Sequence, residues 1–118
     1  MISTGYYSKV KDYKSSGFTV VSISRTEPFP VDGKLLMLAP DEKTLVAYKH
    51  HWINEEEYTF EYLEQLDKIG IVNILSAIHC FGDNVVLLCW EAPDKFCHRH
   101  ILADYINRNT KLDIKEYE

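Results

Sequence analysis

The run Val85-Val86-Leu87-Leu88-Cys89-Trp90, entered through Gly82-Asp83-Asn84, is apolar at every position. A strand with one wet face alternates apolar and polar residues, so a run apolar on both sides needs cover on both faces of its sheet. It predicts a central strand of a covered, parallel sheet. With 118 residues the chain holds one core, since a chain of this size buries roughly two-thirds of its unfolded surface and splitting it leaves two marginal pieces. A single domain over 1–118 is expected.

The other segments supply partners for that strand. Ile2 to Tyr6 is a short first strand, and Ser8 N-caps a helix to about Ser16 with Val10 and Tyr13 inward. Phe18 to Ser24 is rich in β-branched and aromatic residues, which suits a pleated, buried surface. Pro28, Pro30 and Asp32-Gly33 mark a loop. Lys34 to Ala39 and Asp41 to Trp52 are too short and mixed for periodicity to separate strand from helix. Asn54 and Glu57 form a capping-box pair before Tyr58, Tyr62, Leu63, Leu66 and Ile69 at helical spacing, which predicts a helix to about Lys68 with Gly70 after it. A second helical segment is expected around Asn73 to His79. Asp94 is the expected N-cap of a helix from Lys95 to about Arg108, and Leu112 to Tyr117 alternates like a final edge strand.

These elements make an open α/β sheet of four to five mostly parallel strands flanked by helices in a Rossmann-like, three-layer arrangement. Ligands of such sheets bind beyond the carboxyl ends of the strands. That edge is expected to gather Tyr6, Tyr7, Ser24, Arg25 and Cys89 to Glu91 with the helix start at Cys97 to Arg99.

Composition removes several classes. A formal charge of −5 opposes attraction to phosphate backbones, so no nucleic-acid partner is expected. No apolar stretch approaches the ~20 residues that cross a bilayer, and no leader-like segment opens the chain, so a cytoplasmic protein without a membrane partner is expected. Three cysteines, an odd number, fit free thiols in a reducing compartment. The sequence has no G-x-x-x-x-G-K, G-x-G-x-x-G or G-x-S-x-G motif.

Leu87-Leu88-Cys89-x-Glu91, a short loop and Cys97-His98-Arg99 together resemble the small α/β proteins of the domain of unknown function 488 family. Ser24-Arg25-Thr26-Glu27-Pro28 looks like that family's strand-end arginine and proline loop. Glu56-Glu57-Tyr58 and Glu61-Tyr62-Leu63 are similar to its helix before the central strand. Members commonly carry an acidic residue before the strand-end arginine, where this chain has Ser24. The resemblance implies an α/β fold and a site, and supplies no reaction.

Four readings of the cluster compete. In the first, the helix start with Arg99, Arg25 and Ser24 holds a small anionic, nucleotide-like ligand, on which Tyr6, Tyr7 or Trp90 stacks. In the second, Arg99 pairs with Glu91 and braces the fold of a non-catalytic interaction protein. In the third, Cys97 or Cys89 is a nucleophile, Cys97 being favoured by the helix start, His98 and Arg99, with Glu91 orienting an imidazole or acting as general base; against it, Cys97 would share a buried face with Ile101 and Tyr105, and Cys89 would be a plain core residue. In the fourth, Cys89, Cys97, His98 and His100 hold a metal, with His79 and Cys80 as further ligands. Their spacing is not that of a zinc finger, and neighbours on a helix point about 100° apart, so neither a metal site nor a cofactor is expected. Oligomeric state is not encoded in these features.

Overall fold

A computed structural model describes residues 1–117. β1 (Ile2–Tyr6) passes through a 3-10 turn into α1 (Val10–Ser15), then β2 (Thr19–Ser22) and a two-residue β3 (Gly33–Lys34). A second 3-10 turn leads to α2 (Glu42–Lys49), α3 (Glu55–Ile69) and α4 (Ile71–His79). β4 (Val85–Cys89), α5 (His98–Asn109) and β5 (Lys115–Glu116) complete the domain. The five strands are all parallel in the order β3-β2-β4-β1-β5. The open α/β sheet expected from the sequence is therefore present, with the apolar run at its centre.

The period of two decides which helix each strand residue meets. Val20, Val86 and Leu88 pack with Tyr7, Val10 and Tyr13 on the α1 face. Val21, Ile23, Val85 and Leu87 pack on the other face against Tyr62, Leu66, Ile74, Ile78, Leu102 and Ile106 of α3, α4 and α5. Each of these fully buried aliphatic side chains contributes roughly 1.5–3 kcal/mol relative to exposure. All five residues of β4 are buried, as a strand covered on both sides must be.

Local chemistry sets the boundaries. Asn54 Oδ1 accepts from the Glu57 N–H at 2.8 Å, and Glu57 Oε1 accepts from the Asn54 N–H at 3.1 Å, closing the capping box of α3. Gly70 at φ 89° lets the chain leave α3 and enter α4 with no intervening loop. Gly5 is needed for a different reason. A Cβ there would lie 2.5 Å from the Tyr13 hydroxyl, which accepts from the Tyr6 N–H at 3.2 Å.

The undecided stretch 34–52 is resolved as the end of β3, a 3-10 turn and α2. Three expectations are corrected. Ser8 is not an N-cap but lies inside the 3-10 turn Tyr7–Lys9, and Lys9 is the N-cap of α1. The last helix begins at His98, three residues later than expected, because buried Cys97 is its N-cap and stays extended at φ −154° and ψ 146°. Asp94 belongs to the preceding loop, where Lys95 N–H reaches Ala92 O at 3.0 Å. The cysteines are not all free: Cys89 and Cys97 are joined as a disulfide, and Cys80 is the free, exposed one. Parallel strand and helix N-cap converge on one point there, which residue counting does not reveal. No described helix is long and apolar enough to cross a membrane.

Candidate functional site

Cys89 closes β4 on the same face as Val85 and Leu87, the face that α5 covers. Arg99, in the first turn of α5, is fully buried beneath it. Burying a guanidinium is costly unless every donor is met, and here the partners are dense. Nε donates to Glu116 Oε1 at 3.0 Å and Nη2 to Glu116 Oε2 at 2.8 Å, the two-pronged match of guanidinium and carboxylate. Nη1 donates to the Glu91 carbonyl at 2.8 Å and to Cys89 Sγ at 3.0 Å. The Tyr6 ring centroid lies 5.8 Å from Cζ, within cation–π range.

Glu116 is fixed in turn by the Thr4 hydroxyl, which donates to Oε1 at 2.7 Å. Burial alone would raise the Glu116 carboxyl, but its hydrogen bonds from Arg99 and Thr4 win and hold it below the usual carboxylate range. The brace across the loop therefore exists with different partners from those expected. Arg99 takes the backbone of Glu91 and the side chain of Glu116, while Glu91 Oε2 stands 3.8 Å from Cys89 Sγ. Glu116 was missed by sequence reasoning. Its only signal was a carboxylate in a final alternating strand.

His98 sits on the other side of the sulfurs. Its Nε2 is 2.6 Å from the Ile23 carbonyl, and a carbonyl can only accept, so Nε2 carries the proton and Nδ1 the lone pair. Nδ1 is 3.7 Å from Cys97 Sγ. Burial lowers the imidazole to about 4, the Arg99 and His100 charges adding to the fall against the Ile23 bond. His98 is thus neutral over the physiological range.

Cys89 Sγ, Cys97 Sγ and a His98 ring nitrogen lie within 4.8 Å of one another. The expectation that adjacent Cys97 and His98 diverge assumed that both were helical. Cys97 is extended and only His98 begins the helix, so the two side chains meet. His100 is not in this group.

The ends of β1 and β2 form a second polar group. The Tyr7 hydroxyl is bonded to Ser22 Oγ at 2.9 Å and Ser24 Oγ at 3.1 Å. The Trp90 ring lies edge-on to Tyr7 at 5.3 Å, and its Nε1 donates to Thr26 O at 3.0 Å. Arg25 is held by Pro40 O at 3.2 Å and, at 3.9 Å, by Glu42. The structure thus gathers Tyr7 and Ser24 at one end of the edge and Cys97, His98, Arg99 and Tyr6 around the sulfurs. Arg25 and Arg99 share no partner, the one being held by Pro40 and Glu42 and the other by Glu116, Glu91 and Cys89. The two groups touch through Ile23, whose carbonyl holds His98 and whose neighbour is Ser24. A cavity of about 460 Å³ opens beside Glu116, between Tyr6, Tyr13, Pro93 and Tyr117.

Residues 19–110 match the DUF488-N3a family, described as the active DUF488-N3 subclade. The chain belongs to that family, and the matched span runs from the start of β2 to just past α5, taking in Arg25, Cys89, Glu91, Cys97, His98 and Arg99 but not β1 or Glu116. No curated protein and no solved structure matches the chain.

Proposed function

We propose that the chain is a cytoplasmic catalyst of thiol–disulfide exchange, working through Cys89 and Cys97 on a small anionic thiol or disulfide bound at the carboxyl edge of the sheet. The observation that carries the reading is the Arg99 guanidinium, which is fully buried with Nη1 3.0 Å from Cys89 Sγ. A cation placed there favours the thiolate, and a stabilised thiolate leaves faster from a disulfide. A disulfide in a cytosolic chain is in most cases transient, catalytic or redox-sensing, and the subclade's description as active agrees with turnover.

The asymmetry of the pair assigns the roles. Cys97 is 4% exposed and Cys89 is not exposed at all, so an incoming thiolate attacks Cys97 Sγ. A bond forms between substrate sulfur and Cys97, the Cys89–Cys97 bond breaks, and its electron pair leaves on Cys89 beside Arg99. A second substrate thiolate then attacks the substrate sulfur of the mixed disulfide and releases Cys97 as thiolate. The sum is two thiols oxidised to one disulfide and one protein disulfide reduced to two thiols. His98 lies against Cys97 and Glu91 against Cys89 at the mouth.

The anionic preference rests on Arg25. Its guanidinium has five donors and makes one hydrogen bond and one 3.9 Å ion pair among the described residues, with its side chain 34% exposed. Ser24, Tyr7 and Tyr6 lie along the same edge as further polar and stacking groups. Nucleotide-like anions are the second class of ligand that this edge suits, with Trp90, half exposed, as the stacking surface.

The test uses two small thiols of matched pKa, one bearing a carboxylate and one uncharged. Mixed-disulfide formation on the oxidised chain is followed by mass spectrometry. The expected result is a mixed disulfide mapped to Cys97, formed faster with the anionic thiol, the preference disappearing in Arg25→Met. A pair that neither thiol opens in the folded protein rejects the proposal.

A further inference from the structure

The same three side chains have a property that exchange does not use. We propose that the reduced chain binds one thiophilic divalent cation, Zn²⁺ being the model ion, through Cys89 Sγ, Cys97 Sγ and His98 Nδ1, and that forming the disulfide expels it. The inference rests on the reading above only in requiring that the pair can be reduced in the folded protein.

The donor set comes first. Two thiolates and one imidazole are soft-to-borderline ligands of the kind that select zinc, and three protein ligands with one position left over is the pattern of a catalytic rather than a closed structural site. The three ligand atoms fall within 4.8 Å of one another. A tetrahedral ion with Zn–S of ~2.3 Å and Zn–N of ~2.0 Å sets its sulfur and nitrogen ligands about 3.5 Å apart. Cys97 Sγ and His98 Nδ1 already stand at 3.7 Å.

The outer shell is the second observation. A metal-bound histidine almost always donates its other ring N–H to a carbonyl or carboxylate, which fixes the tautomer and turns the lone pair to the ion. His98 does this: Nε2 is bound to the Ile23 carbonyl at 2.6 Å, which leaves Nδ1 as the free donor atom beside the sulfurs. Arg99 Nη1, at 3.0 Å from Cys89 Sγ, is placed to support a coordinated thiolate on that cysteine. The groups that would orient the ligands are themselves placed, Arg99 by Glu116 and the Ile23 carbonyl by its position just after β2.

The two states exclude each other because both use the same two sulfurs. The Cα atoms of Cys89 and Cys97 are 7.4 Å apart, a separation that leaves room for two sulfurs spread around an ion. Two-electron reduction of the disulfide by an added phosphine or dithiol yields two thiols. Metal binding then displaces their two protons, and oxidation by diamide removes two electrons, re-forms the S–S bond and releases the cation. Glu91, whose Oε2 is 3.8 Å from Cys89 Sγ, is exposed at the open side of the site.

The experiment compares the full chain reduced with a thiol-free phosphine and the same chain oxidised with diamide. Free thiols are counted before any metal is added. Each sample is dialysed against Zn²⁺ for elemental analysis, and a parallel set is titrated with Co²⁺. The inference expects one equivalent on the reduced chain, tetrahedral cobalt bands with sulfur-to-cobalt charge transfer, and release of the ion on oxidation. Cys80→Ser, which removes the exposed third cysteine, should bind as the parent does. Cys97→Ala and His98→Gln with native circular dichroism should bind roughly 100-fold or more weakly, beyond the ~10–100-fold that losing an outer-shell partner costs. Should either variant misfold, the reduced-against-oxidised comparison on the unaltered chain still decides. A chain with three titratable thiols that takes up no metal, or binding that persists in the oxidised protein, overturns the inference while leaving thiol exchange intact. A pair that cannot be reduced without unfolding overturns both.

Discussion

Arg99 and Glu116 meet through two parallel hydrogen bonds of 3.0 and 2.8 Å, and the arginine has no exposed surface at all. The pair links the first turn of α5 to the edge strand β5 and holds the guanidinium against Cys89. Removing one partner leaves a buried charge unanswered, which costs far more than an exposed ion pair is worth. Glu116→Ala is expected to lower stability in urea by about 3–5 kcal/mol. Arg99→Met combined with Glu116→Leu should recover much of that loss, because no charge is then stranded. A double variant as unstable as the sum of both singles would show that the pair is not the source.

Gly5 carries a steric prediction. Its missing Cβ would meet the Tyr13 hydroxyl at 2.5 Å and the ring carbon behind it at 2.7 Å, and both the strand and Tyr13 are locked in the core. Gly5→Ala should therefore cost about 1–3 kcal/mol, read as a shift in denaturation midpoint at unchanged slope. Gly17→Ala makes a useful contrast, since that position meets no neighbour within 4 Å and is limited only by its φ of 87°.

The capping box of α3 is testable on its own. Asn54→Ala removes the acceptor for the Glu57 N–H and should cost about 1 kcal/mol. Asn54→Asp, which keeps an acceptor and adds negative charge at a helix start, should be near neutral.

Asp32 sets part of the acid limb. Its carboxylate accepts the Val20 N–H at 2.9 Å and pairs with Lys14 at 3.1 Å, and the Val20 bond is the leading reason that its folded pKa lies below 3.8. A carboxyl lowered on folding stabilises the native state fully above its unfolded value, and that contribution fades as pH falls through the folded one. Stability measured from pH 6 downward should fall below about pH 4 less steeply in Asp32→Asn than in the parent. Parallel curves for the two would remove Asp32 from the account.

The parts of the fold set by local chemistry were legible in the sequence. β4 was visible because only a doubly covered strand tolerates five apolar residues in a row, and α3 because Asn54 and Glu57 carry their own hydrogen-bond logic. The stretch 34–52 was opaque because Leu36, Met37 and Val46 stay exposed, so its apolar residues do not trace a face. Cys89, Cys97, His98 and Arg99 do meet where a strand ends and a helix starts, yet their wiring was not readable. Glu116 reaches Arg99 only because β5 adds beside β1, and the approach of Cys97 to His98 depends on one extended residue at the N-cap. Both are consequences of tertiary placement that no spacing rule encodes.

The strand order also fixes when the sheet can come into being. β1 is first in the chain, yet its neighbours are β4 and β5: Ile2 pairs with Val85 and Ser3 with Lys115. β2 does not pair with β1, and its neighbours are the two-residue β3 and the same late strand β4. A nascent chain that has exposed only its first half therefore holds strands with almost nothing to pair with, and loop closure over most of the sequence must precede any reward. Insertion of Val85–Cys89 between β1 and β2 is the step that makes a sheet of them. The last residue of that inserted strand is Cys89, so its sulfur meets the Arg99 guanidinium only once the central strand is in place.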